Sequence, residues 1–193
     1  MPMIRECIVT TLNEDGAVHI APIGLIADGP GWVIAPFKPS GTLDNLRRSG
    51  LAVANYTDDV MVFAGCLTGL RDWPTRPAKR IAGAVLESAL AHAELEVERV
   101  TEDELRPRFH CRVVEEASHA PFRGFNRAQA AVIEAAILVS RLHMLPGDKI
   151  DSEIAYLRIA IEKTAGPRER EAWDRLMARV EAHRSGETAE TQA

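Results

Sequence analysis

Between Lys38 and Leu46 the chain reads Lys-Pro-Ser-Gly-Thr-Leu-Asp-Asn-Leu, which sets a cation, two hydroxyls and a glycine at a helix start. Backbone N–H groups left unpaired at a helix N-terminus point outward with partial positive charge, and so receive phosphate oxygens. Gly41 lets a ligand come close to the backbone, and Ser40 and Thr42 can donate hydroxyl hydrogens to it. The same pattern fits a capped helix in which Ser40 and Thr42 serve the cap alone. Spacing leaves both readings open.

A second stretch, His19-Ile20-Ala21-Pro22-Ile23-Gly24, suits the floor of a planar ligand. Pro22 has no N–H, so within a sheet it belongs at an edge or a bulge. Gly24 leaves its backbone bare, and a freed carbonyl can meet the polar edge of a ring. A kinked edge strand with no ligand has the same composition.

Other chemistry finds less support. The six histidines (His19, His92, His110, His119, His143 and His183) show no metal-binding spacing, and the three cysteines (Cys7, Cys66 and Cys111) are widely spaced. No metal site or disulfide framework is expected, and the cysteines read as small buried hydrophobes. A nucleophile elbow, a Walker loop and a dinucleotide fingerprint are absent. Asp58-Asp59 and Glu115-Glu116 read as helix-start charge and a solvated strand end rather than as acids. Trp32, Trp73 and Trp173 read as core or interface anchors, with Trp73 also able to cover a bound ring.

The elements that position these residues can be read from pattern. Strands are expected over 6–12, 17–26, 32–37 and 51–55, with turns at Asn13–Gly16 and Asp28–Gly31. A short helix fits 42–48, capped by Ser40 or Thr42 and closed by Gly50, and Thr57 is set to cap another. Residues 73–77 read as a rigid loop, and 91–101 and 108–116 as a further strand pair. In the first of that pair Glu94, Glu96 and Glu98 alternate and predict a solvated acidic face. The last third turns helical: one helix over 126–145, a second capped by Asp151 or Ser152, and a third opened by Gly166-Pro167. The helix from 126 is apolar nearly all round, with Arg127, Glu134 and Arg141 as one charged seam. That seam suits ion pairs, or an Arg127 that reaches an anion. The order of elements is a small-barrel pattern and not a repeating βαβ one.

Composition fits this: 46% hydrophobic and 26% charged over 193 residues is globular, and a formal charge of −5 argues against a nonspecific nucleic-acid binder. The N-terminus lacks an apolar signal core and no run is long enough to cross a bilayer, so a soluble cytoplasmic protein with no membrane partner is expected.

Taken in order, the Pro22-Ile23-Gly24 strand, the 40–46 helix start and the strand running into Asp58-Asp59 resemble the FMN-binding split-barrel superfamily. That superfamily includes flavin reductases and pyridoxamine-phosphate-oxidase-like proteins. Residues 10–24, 40–46, 55–63 and 125–142 together resemble an uncharacterised archaeal-type family within it. The resemblance implies an α+β fold: a split β-barrel with short helices over 1–122, then a helical appendage over 123–185 packed on the barrel and a dimer mate, and a frayed tail over 186–193. It implies FMN as cofactor, with Ser40, Gly41, Thr42 and Asn45 about the phosphate and ribityl chain. His19, Ala21, Pro22, Ile23 and Gly24 would run beside the ring, and Asn55 near the ring or ribityl chain. Lys38 is less favoured, because related sequences often lack a cation there. Arg127 joins the set as a candidate anion ligand, although the resemblance leaves the role of Phe125-Asn126-Arg127 open. Family members usually pair as homodimers with FMN in the groove between subunits. The implied activity is an oxidoreductase moving hydride through flavin N5 to or from a small molecule, with reduced nicotinamide or a deazaflavin as donor. A non-catalytic FMN carrier or sensor, or a scaffold that has lost flavin, are the alternatives.

Overall fold

The computed structural model describes residues 2–186; the expected frayed tail lies almost wholly outside them. The chain divides into two compact units. The first holds residues up to Thr57 together with Trp73–Phe122, and the second holds Asp58–Asp72 and the chain from Arg123 onward.

The first unit is a closed antiparallel barrel of β1 (Ile4–Leu12), β2 (Val18–Asp28), β3 (Gly31–Ile34), β4 (Leu51–Tyr56), β7 (Ala91–Thr101) and β8 (Arg108–Ser118), in the order β1-β2-β3-β8-β7-β4. The β1–β2 hairpin closes where the sequence places its turn: Asn13 donates its N–H to the Ala17 carbonyl at 2.8 Å, and the Asp15 carboxylate accepts the Ala17 N–H at 2.9 Å. Every second residue of a strand points inward. Cys7 and Val9, Ala52 and Ala54, Ala93 and Leu95, and Phe109 and Cys111 accordingly make the interior, closed by Leu43 and Leu46 of α1 (Gly41–Ser49). Gly50 ends α1 in the left-handed conformation (φ 67°), where a side chain would be strained.

The outward residues of β1, β4 and β7 are buried too, since a hairpin of β5 (Thr75–Pro77) and β6 (Ala84–Leu86) covers them. The segment expected as a loop is therefore partly strand. Polar staples hold the hairpin down. Thr10 donates its hydroxyl to the Ala84 carbonyl at 2.5 Å, and the Asn55 side-chain oxygen accepts the Leu86 N–H at 2.8 Å. Glu94 is one of these buried residues and has no exposed surface. The acidic face expected on β7 is thus solvated only toward Glu98, because loop backbone supplies Glu94 with donors that a sequence pattern does not reveal.

The second unit packs α3 (Arg127–Val139) against α2 (Val60–Leu67), α4 (Gly147–Thr164) and α5 (Pro167–Arg184). Three helix neighbours account for a helix whose Ala128, Ala131, Val132, Ala135, Ala136, Leu138 and Val139 are all buried. Its charged seam faces solvent: Arg127, Glu134 and Arg141 are exposed, and among the described residues none forms an ion pair. The single helix expected over 126–145 breaks after Val139. There the Ser140 hydroxyl bonds the Ile137 carbonyl at 2.7 Å and a short 3₁₀ turn covers Leu142–Met144. Helix α4 starts at Gly147, ahead of the caps expected at Asp151 or Ser152. Helix α2 is capped by Asp59 and not Thr57; Asp59 accepts the Met61 N–H at 3.2 Å and a bidentate pair from Arg168 at 3.0 and 2.7 Å.

Candidate cofactor site

The start of α1 is built by its neighbours. Ser40 is the N-cap: its Oγ accepts the Leu43 N–H at 3.3 Å, and its carbonyl accepts the Asp44 N–H at 3.2 Å. That leaves the N–H groups of Gly41 and Thr42 with no acceptor inside the helix. The His19 imidazole lies directly over Gly41; a Cβ placed there would stand 3.0 Å from Cε1 and 3.3 and 3.4 Å from the two ring nitrogens. The absence of a side chain at Gly41 is what lets the ring and the helix end meet. Gly41 itself is exposed, whereas Thr42 is buried at 2%.

Asn45 works from behind. It is buried, and its amide nitrogen donates to Thr11 Oγ1 at 3.0 Å and to Asn13 Oδ1 at 2.9 Å, while Arg48 donates to its oxygen at 3.3 Å. The helix start is thereby fixed on the mouth of the β1–β2 hairpin that carries His19. Lys38 turns the other way, donating Nζ to the Asp103 carbonyl at 2.6 Å.

Strand β2 pairs with β1 along its whole length, from Ile26 opposite Ile4 to Val18 opposite Leu12, but with β3 only over Ile26–Asp28. Among the described residues no strand lies on its other side from Val18 to Leu25. Ala21, Pro22 and Ile23 sit in this one-sided stretch, half-buried, and Pro22 thus lies on an edge as its missing N–H requires. Gly24 does not present a bare surface. A Cβ there would meet Ile4 Cγ2 at 2.8 Å and Glu6 Oε1 at 3.1 Å, so β1 side chains already fill that space.

Asn55 stands apart from these residues in role. It is fully buried on the outer face of β4, its nitrogen donating to the Ile8 carbonyl (3.1 Å), Thr10 Oγ1 (3.3 Å) and the Val53 carbonyl (3.3 Å) and its oxygen accepting from Leu86. Arg127 belongs to the other unit, as the exposed first residue of α3. Beside it Asn126 caps that helix by accepting the Ala128 N–H at 2.7 Å, and ties it to the Thr164 carbonyl at 3.1 Å. Sequence reading passed over Arg106, whose guanidinium donates twice to the Ala35 carbonyl (3.0 and 2.8 Å) and sits 4.3 Å over the Phe37 ring. It braces the loop leading to Ser40. An isolated arginine in an exposed loop gives no pattern by which to find it. Among the described residues no cluster of side chains could hold a metal ion, and no helix is long and apolar enough to cross a membrane.

A closed six-stranded antiparallel barrel with a short helix at this place, followed by C-terminal helices, is the fold of the FMN-binding split-barrel proteins. Within that class the chain belongs to a family described as a protein of unknown function, DUF447: the family's N-terminal domain matches residues 5–120 and its second part matches residues 126–178. No curated protein matches the chain. Among solved structures, an FMN-bound DUF447 protein from Methanosarcina mazei is similar at a TM-score of 0.81 and 20% identity, over 93% of this chain and 96% of that one. A 2-nitrobenzoate 2-nitroreductase from Pseudomonas fluorescens is similar at 0.51 and 19% identity, over 62% of this chain and 66% of that one. Component B of a nitrilotriacetate monooxygenase from Mycobacterium thermoresistibile gives 0.51 and 19%, over 62% and 70%. All three likenesses are of the fold.

Proposed function

We propose that the barrel unit binds FMN, with its phosphate on the N-terminus of α1 and its ring along the one-sided stretch of β2. The observation that carries this reading is the helix end itself, where the Gly41 and Thr42 N–H groups have no acceptor within the helix and the His19 imidazole lies over Gly41. Such a helix end suits a dianionic phosphate, and a glycine leaves its backbone N–H unshielded by any side chain of its own. The Methanosarcina protein, described as FMN-bound, supports FMN as the ligand. Ser40 caps the helix start, Thr42 can donate its hydroxyl to the phosphate, Asn45 and Arg106 fix the start in place, and Ala21 to Ile23 offer backbone to the ring edge. Asn55 is left out of the set, because its amide is spent on protein partners.

The function that follows is flavin-based redox chemistry on a small molecule. When bound, FMN supplies hydride transfer through N5, and the chain supplies binding and orientation. No side chain is assigned as an acid or base. Two copies sharing FMN in the groove between them is part of the proposal, because half-buried β2 leaves one edge for a neighbour. An FMN carrier without turnover would use the same contacts. Purified protein is expected to show the visible bands of oxidised flavin, to lose FMN on denaturation and to bleach anaerobically with a reduced nicotinamide or a reduced deazaflavin. Protein that neither carries nor takes up FMN would end the reading, and a yellow protein that no donor reduces would make it a carrier.

A further inference from the structure

Three titratable side chains form a line on the outer face of the barrel. The Glu94 carboxylate accepts the backbone N–H groups of Lys79 (2.6 Å), Arg80 (2.7 Å) and Ile81 (3.0 Å), all in the loop between β5 and β6. Nε2 of buried His92 lies 3.5 Å from Glu94 Oε1. Nδ1 of His92 faces Nε2 of His119 at 2.8 Å, with the ring planes 12° apart, and His119 reaches the surface.

The hydrogens in this line have one consistent arrangement. Acceptor-only Glu94 takes the His92 Nε2–H, so His92 Nδ1 carries a lone pair and His119 must donate its Nε2–H to it. A first extra proton can land on the outward Nδ1 of His119 and every bond survives. A second has nowhere neutral to go. On His92 Nδ1 it would set two N–H groups against each other across 2.8 Å; on Glu94 it would take the charge from the carboxylate that holds the loop.

We propose that Glu94, His92 and His119 form a proton-linked latch that holds the loop 78–83 on the barrel at neutral pH and releases it in acid. The charges around the latch act in both directions. Arg76 of β5 repels an imidazolium at His119, whereas Lys79 and Arg80 of the loop engage Glu115 of β8 at 2.7 and 3.7 Å through largely exposed side chains, a weaker tether that does not depend on the histidines. Burial, then Arg76, then His92 hold the His119 imidazole below its usual value. Burial would raise the Glu94 carboxyl, but the three loop N–H groups and His92 outweigh it and hold it below the carboxylate range. Each group is depressed in the folded chain, so each stabilises the closed loop above its ordinary value and ceases to do so as pH falls through the folded one. Asn55 and Thr10, which do not titrate, keep β6 in place, so release is confined to the loop.

Amide hydrogen exchange on the full chain tests this, read as protection relative to the unstructured rate. Lys79, Arg80 and Ile81 are expected to lose at least about 10-fold of their protection between about pH 7.5 and about pH 4, a range that runs past the first, harmless proton on His119, while Leu86 keeps its own. His119→Gln should keep the loop closed and flatten that response, because a side-chain amide can present either its N–H or its oxygen to His92 Nδ1. Glu94→Gln should leave the loop open even at neutral pH. Constant protection at 79–81 over this range overturns the latch, as does loss at Leu86 at the same pH, or a wild-type response in His119→Gln. If Glu94→Gln does not fold, the other two series still decide.

Discussion

Replacing Gly41 by Ala tests the phosphate site with one methyl group. The added carbon would sit 3.0 Å from His19 Cε1 and within 3.4 Å of both ring nitrogens, so the imidazole must give by a few tenths of an ångström and the methyl takes up space beside the Gly41 N–H. Gly41 is not in the left-handed region, and an alanine meets no backbone strain there. The gain in helix propensity over glycine and the cost of moving His19 oppose each other, so stability should change by no more than about 0.5 kcal/mol. Binding should not be neutral. Displacing one charge-assisted hydrogen bond to phosphate costs about 1.5–3 kcal/mol, which is about a 10- to 150-fold rise in the FMN dissociation constant. Riboflavin lacks the phosphate and serves as internal control. Fluorescence titration of both ligands, with urea denaturation as the fold check, makes the measurement. A folded variant whose FMN affinity stays within about 3-fold of wild type, or which weakens FMN and riboflavin equally, refutes placement of the phosphate at this helix end.

Other expectations follow from the same geometry. Asn55→Leu strands the Leu86 N–H and Thr10 beneath the hairpin and should cost about 2–4 kcal/mol in urea denaturation, with FMN affinity of the folded fraction unchanged. Asn126→Ala removes the α3 cap and the tie to Thr164, and a loss of about 1–2 kcal/mol is expected by the same assay. Burial pushes the Cys111 thiol up to about 12 and Cys66 to about 11, so native protein should react slowly with a disulfide reagent at neutral pH, with half-buried Cys66 reacting before Cys111. Ser40→Ala removes the α1 cap and should weaken FMN binding and helix stability together, whereas Asn45→Ala should loosen the hairpin mouth, seen as faster amide exchange at Asn13 and Gly16.

The barrel was legible because its signals are local. Alternation marks the strands, Asn13–Gly16 marks the hairpin, and Ser40 and Gly50 bracket α1 at the expected positions. What pattern missed depends on neighbours remote in sequence. Asn55 looks like a ligand residue by position, and its fate is decided by Leu86, thirty-one residues on. Glu94 reads as a solvated strand residue until three loop amides supply its donors. The barrel expected over 1–122 takes in helix α2 because it follows β4 directly, yet its partners α3 and α5 begin 60 and 100 residues after it ends. The helix-start half of the candidate site was visible for the same reason the helix was, since cap and phosphate cradle use one grammar. The contact of His19 with Gly41 was not, because it joins two segments that only the fold brings together.

The one-sided half of β2 has a consequence for solubility. An unpaired strand edge is a template on which a foreign strand can add, and most sheets blunt such edges. A proline fits a ladder only with its nitrogen turned to the unpaired side. Pro22, midway along this half-buried stretch, therefore offers no donor to an incoming chain. Restoring that donor with Pro22→Val would make the opening adhesive, a route to fibrils or strand exchange between molecules. With Pro22 in place, a neighbour approaching this side of β2 would therefore have to pack through side chains and not through a continuous backbone ladder.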